Sequence, residues 1–292
     1  MFKMKFFLLS IITFIHLVAF DAFITPSKLK DSFENKKLII LDVTTKEIYK
    51  TGHIKNAIHA DISLFRDIKE PSLLAPKEKI EQELKKLGLN SDSLVVIYSR
   101  NSEQSILSSS FLALVLIQGG FENISILNGG YMAWVFENEF LVSSEPSYAQ
   151  NDGNVTLTKT NILVDLEYLK NNTSKIMLLD ARSPMEYFGV EKSKDINAIG
   201  HIPHAKSSYY KDKFLKDNTL REKEELEQIY IEGHELQPED EIIVYGDTIY
   251  SASMEWYILY KHLNFKNAKL YEKSFIEWGN LDNAAVTRFK WE

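Results

Sequence analysis

The chain has 292 residues, 45% hydrophobic and 26% charged, with a formal charge of −7 and no cysteine. That length accommodates two domains of about 150 residues each, and the composition is globular. The acidic balance and the lack of any basic tract exclude a nucleic-acid-binding role. The missing thiol excludes disulfides, thiolate metal sites and cysteine nucleophiles.

In chain order, MFKMKFFLLSIITFIHLVAFDAF comes first, with Lys3 and Lys5 ahead of an apolar run from Phe6 to Phe20. This run suits a secretory leader and is shorter than the roughly 20 residues that span a bilayer. A leader over residues 1–22 is therefore expected, with export to the periplasm or the medium and no stable membrane span after cleavage. The alternative is an uncleaved anchor. Small residues near the cleavage region stand only at Ala19 and Ala22.

A first domain is expected over 23–140. The apolar run LIILD ends in Asp42, followed by Glu47 and Tyr49, then Gly52-His53-Ile54 and Ala57. A charged helical stretch leads into LVVIY, which ends at Tyr98 and is followed by Ser99, an apolar helix, ISIL, and GGYMAW with Trp134. Residues 141–160, with Ser, Pro, Asn and Gly at their centre, read as a linker.

Residues 161–292 repeat the order. IMLLD ends in Asp180, with Arg182, Glu186 and Tyr187 after it, then Gly200-His201-Ile202 and Ala205. Roughly ten extra residues around FGVEKSKDINA precede Gly200 and are expected to form a surface loop near the domain's mouth. The acidic run 221–233 reads as a solvated helix face. EIIVY then ends at Tyr245, the polar loop 246–251 follows, and the chain closes through AKLY to Trp278. Alternating short strands and helices, written twice, predict a tandem α/β duplication with parallel sheets.

Several residues admit chemical readings. His201 and His204 form H-I-P-H, but no further ligand is placed by spacing, so neither a metal nor a cofactor is expected. Arg182 and Glu186 stand four apart and predict an ion pair on a helix face. Tyr250, Trp256, Tyr257 and Tyr260 are either core or the wall of a ligand pocket, with Tyr250 the best ligand candidate because it lies on the loop. Ser251 is expected to cap the next helix.

Taken together, the LLDAR segment with Glu186-Tyr187, GHIPHA, the VY-loop-helix unit and the Trp278-Gly279 close resemble the tandem-domain rhodanese sulfurtransferases over about residues 25–285. The resemblance implies two rhodanese-like domains, each a parallel sheet of about five strands flanked by helices. In active members a cysteine opens the loop after the C-terminal VY strand. It takes sulfur from thiosulfate or mercaptopyruvate as a persulfide, cradled by loop N–H groups. Here that position is Gly246, and its counterpart in the first half is Ser99.

The remaining loop residues Asp247, Thr248, Ile249, Tyr250 and Ser251 offer no evident substitute. Asp180, Arg182, Glu186 and His201 are the supporting residues the resemblance implies. The expected protein is an exported member of this family without sulfur-transfer turnover, kept for binding a small sulfur-containing anion or a protein partner. The alternatives are an active sulfurtransferase using a non-cysteine or partner-supplied nucleophile, and a structural duplicate with a filled cleft.

Overall fold

The computed structural model describes residues 20–100, 103–138, 141–158, 160–172 and 176–292. The expected leader thus lies almost wholly outside the described residues. Two five-stranded parallel sheets carry the two halves. The first contains β1 (Phe23–Ile24), β2 (Leu38–Asp42), β4 (Ile58–His59), β5 (Leu94–Tyr98) and β6 (Ile124–Leu127), in spatial order β1-β6-β5-β2-β4. Between β2 and β4, β3 (His53–Ile54) pairs antiparallel with β7 (Val142–Ser143). The second sheet is built from β8 (Leu163–Val164), β9 (Met177–Asp180), β10 (Ala205–Ser207), β11 (Ile242–Tyr245) and β12 (Ala268–Tyr271), ordered β10-β9-β11-β12-β8. The central strands are near-continuous apolar runs because helices cover both faces of each sheet.

The duplication extends to single hydrogen bonds. Asp42 pairs in register with Tyr98, and Asp180 with Tyr245. The Tyr98 hydroxyl accepts from the Ile54 N–H (3.0 Å) and the Tyr245 hydroxyl from the Ile202 N–H (3.2 Å). Tyr49 donates to the Ala57 carbonyl and stacks on His53, as Tyr187 donates to Ala205 and stacks on His201, both ring pairs at 3.8 Å. The repeated Tyr and Gly-His-Ile motifs therefore tie the connection after each half's second helix, Lys46–Thr51 and Pro184–Phe188, to its sheet.

The segment read as a linker is packed against the first half. The Glu145 carbonyl lies 3.1 Å from His53 Nε2, and the Leu157 N–H donates to Glu81. Val155 and Leu157 are buried in the common core. Gly153 is fixed by close approach, since a Cβ there would stand 1.9 Å from the Leu89 carbonyl oxygen. In the acidic run, Leu226 and Tyr230 turn inward, and the Tyr230 hydroxyl donates to the fully buried Glu255.

The halves share one apolar core. Helix Glu103–Gln118 packs on helix Ile249–Tyr257, joined by hydroxyl pairs Ser108–Tyr250 (2.8 Å) and Ser110–Ser253 (2.7 Å). Residues Phe111 to Leu116 are essentially inaccessible. Such a helix, apolar all round, requires cover on every side. Tyr257 donates to the Ala22 carbonyl (2.7 Å), so the second half's helix also holds the strand that opens the first.

Candidate functional site

β11 delivers the chain to Gly246 at the carboxyl end of the second sheet, where open α/β sheets place ligands. Six loop residues were expected, 246–251. The loop has three, because Ile249 already begins the next helix. Ile249 is fully buried, and its side chain enters the shared core. Burial of that residue draws the helix start forward. Thr248 is the N-cap, and the Thr248 N–H donates to Ser251 Oγ (3.1 Å), so Ser251 sits at the third helical position and not at the cap.

Gly246 is required for space, since its φ lies outside the left-handed region. A Cβ at this position would stand 2.4 Å from Ser251 Oγ and 2.9 Å from the Ala252 nitrogen. The Gly246 N–H points to Ser274 Oγ (3.4 Å), and the Gly246 and Asp247 carbonyls accept from the Phe275 and Ile276 N–H groups. The serine hydroxyl occupies the space into which a side chain at 246 would project. At the corresponding place in the first half, Ser99 is buried and its carbonyl accepts from the Tyr131 N–H.

Arg182 does not pair with Glu186. Its guanidinium binds Asp180, with Nε 3.0 Å from Oδ1 and Nη2 2.6 Å from Oδ2. Nη2 also donates to the Gly200 carbonyl (2.8 Å), and the group lies 3.7 Å from the centre of the Phe275 ring. Burial opposes its charge, yet the adjacent Asp180 carboxylate holds it above the usual guanidinium range. Glu186 is occupied elsewhere: it closes a capping box with Ser183 at the start of helix Pro184–Phe188. A nearer buried carboxylate and a helix end each took one member of the expected pair.

Asp247 turns away from Gly246 toward the extra residues of the second half. Ser193 Oγ lies 2.6 Å from Asp247 Oδ1 and also contacts Glu186 Oε1. Burial, with Glu186 and Asp180 adding to it against Ser193 and Arg182, pushes the Asp247 carboxyl up to about 6. The inserted loop thus reaches the mouth of the domain, as its position predicted.

His201 is packed into the fold: its Nδ1 lies 2.8 Å from the Tyr187 carbonyl, and burial lowers its pKa. Tyr250 faces the first half, with its ring 4.3 Å from the Arg66 guanidinium and against Phe111. Trp256 and Tyr257 are fully buried, and Tyr260 packs on the core's edge. The four aromatic residues are therefore core and domain contact. Sequence reasoning missed Ser193, Ser274 and Arg100; for Ser193 the extra length of the second copy was the available signal.

A family model described as the rhodanese-like domain matches residues 25–137 and again 165–281. The sulfur carrier protein TtuD of Thermus thermophilus is 25% identical over 284 residues, covering 92% of this chain and 97% of that protein. A thiosulfate sulfurtransferase of Azotobacter vinelandii is 28% identical over 268 residues, covering 90% and 96%. Among solved structures, the anaerobic ergothioneine biosynthesis enzyme from Chlorobium limicola superimposes with a TM-score of 0.77 at 20% identity, over 91% of this chain and 70% of that one.

Proposed function

This chain belongs to the rhodanese-like family, and from that premise we propose that it transfers no sulfur itself and acts by binding a protein partner. The observation that carries this reading is the Ser251 hydroxyl lodged 2.4 Å from where a Cβ at Gly246 would stand. Sulfane-sulfur transfer needs an atom that is both a good nucleophile and a good leaving group, and a thiolate supplies both. The sequence contains no cysteine. The Ser251 hydroxyl is engaged with the Thr248 backbone, accepting from its N–H and donating to its carbonyl, and Asp247 is engaged with Ser193. With the loop closed by its own serine, a small sulfur-containing anion is the less supported ligand. The likeness to a protein named as a sulfur carrier favours sulfur-handling proteins as the partners to test.

The test is direct. Mature protein mixed with thiosulfate and cyanide is expected to form thiocyanate no faster than a protein-free blank; turnover above it overturns the reading.

Export is part of the proposal, supported by the two lysines and the apolar run that follows them. The Ala22 carbonyl accepts from the Ile126 N–H (2.8 Å) and from the Tyr257 hydroxyl (2.7 Å), and Asp21 pairs with Lys28. A cut after Ala22 would break the peptide unit that supplies those contacts, so the proposed cut falls after Ala19. N-terminal sequencing of the exported protein decides between the two.

A further inference from the structure

Beyond that reading, we propose that residues Lys192–Lys194 form a proton-dependent cover over the Gly246–Thr248 loop, latched while the carboxyl groups meeting at Ser193 share one added proton and loosened when it leaves.

A serine hydroxyl carries a single hydrogen, yet Ser193 Oγ meets two carboxyl oxygens, Asp247 Oδ1 at 2.6 Å and Glu186 Oε1. If both carboxyls were ionised, one contact would set lone pair against lone pair. Both contacts are hydrogen bonds only when one carboxyl donates to the serine, which then donates to the other.

The surroundings place that proton on Asp247. Glu186 Oε2 is already occupied as an acceptor by the Ser183 N–H (3.2 Å) and hydroxyl (2.8 Å). Asp247 faces Glu186 and Asp180, which oppose its ionisation, and Arg182, whose guanidinium is engaged with Asp180. The resulting chain runs from the Asp247 carboxylic acid through Ser193 to the Glu186 carboxylate. The raised Asp247 pKa of about 6 agrees with this order.

The fold isolates the latch on a short arm. On one side the Val190 and Glu191 N–H groups are both tied to the Met185 carbonyl (3.0 and 3.2 Å). On the other, the Asp195 carbonyl accepts from the Asn280 side chain (2.9 Å), and Ile196 is buried in the core. Between these anchors Lys192 and Lys194 are exposed, and Ser193 turns inward. Loss of the proton leaves Ser193 with a hydrogen for only one of two mutually repelling carboxylates, which loosens the arm over the loop while the domain stays folded.

The cysteine-free sequence makes the test clean, because Lys192→Cys creates a single thiol for a nitroxide label. Spectra of the full mature protein are taken across the Asp247 transition near pH 6. The expected result is a nitroxide immobile below that pH and several-fold more mobile above it. Asp247→Asn in the labelled protein is expected to remain immobile throughout, since its amide donates to Ser193 at any pH. Ser193→Ala is expected to be mobile throughout. Glu186→Gln keeps its amide oxygen on Ser183 and turns its NH2 to Ser193, which can then donate to an ionised Asp247, so this variant, like Asp247→Asn, is expected to remain immobile throughout. Mobility independent of pH in the labelled parent, or an unchanged transition in either Asp247→Asn or Glu186→Gln, overturns the proposal.

Discussion

In the first half the Gly52 carbonyl receives a guanidinium from Arg100, two residues beyond Tyr98, at 2.5 Å. In the second half the Gly200 carbonyl receives one from Arg182, two residues beyond Asp180, at 2.8 Å. Each guanidinium also stacks on the ring of the closing helix, Tyr131 at 4.1 Å and Phe275 at 3.7 Å. The slot is the same, and the strand that fills it differs. Where the second half has Arg182 the first has Thr44, whose N–H and hydroxyl both bond to Asp42. Where the first half has Arg100 the second has Asp247. A turn carbonyl at each sheet end needs a donor, and either neighbouring strand can provide it. Once Arg182 does so, the loop after Tyr245 no longer has to, and Asp247 can face the inserted loop.

The strongest break of this comparison is Arg182→Leu. It leaves Asp180 buried without its cation and Gly200 without its donor, and chemical denaturation should show a loss of about 3–5 kcal/mol. Arg100→Ala, at a less buried site with no carboxylate partner among the described residues, should cost only about 1–2 kcal/mol.

Next in size is Gly246→Cys. The added Cβ meets Ser251 Oγ, and overpacking of this kind should cost about 1–3 kcal/mol. No persulfide should appear by mass spectrometry after treatment with thiosulfate. Adding Ser251→Ala removes the nearest clashing atom and should recover part of the stability. A stable single variant that forms persulfide would mean that the loop opens readily, which weakens the contrast between a filled second loop and an intact cradle.

A smaller effect is expected from Asp247→Asn. The folded carboxyl titrates near 6, above its ordinary value of 3.8. The native protein thus binds more protons than the unfolded chain between those values. Stability is full below about 4, falls as pH rises toward about 6, and stays reduced above it. The asparagine variant should flatten that slope and gain about 1–2 kcal/mol at neutral pH, read from urea midpoints. Smallest of all, the coupling between Ser110 and Ser253 in a double-mutant cycle should be about 0.5–1.5 kcal/mol.

The paired Asp, Tyr and Gly-His-Ile motifs were legible in the sequence because each lies at a strand end or turn where local pattern and tertiary role coincide. The two sheets and the position of Gly246 followed from them. Spacing misled for Arg182. Four residues predict a helical pair with Glu186, but Arg182 precedes the helix, and its partner lies two residues back on the strand. The loop length misled because Ile249 looks like a loop residue until the other half's helix is present to bury it. Ser193 could not be read as a partner of Asp247, since 54 residues and a turn of unpredictable path separate them.

The shared core also bears on how the chain is made. Helix Glu103–Gln118 contains a run of inaccessible apolar residues, and Ser110 meets its partner Ser253 only 143 positions later. β1, at the very start, is tied through Ala22 to Tyr257. During synthesis the first half therefore emerges with an uncovered greasy helix and an incompletely secured edge, and cannot close before the second half follows. Nascent chains halted anywhere short of residue 250 should be sticky, protease-sensitive and dependent on chaperones.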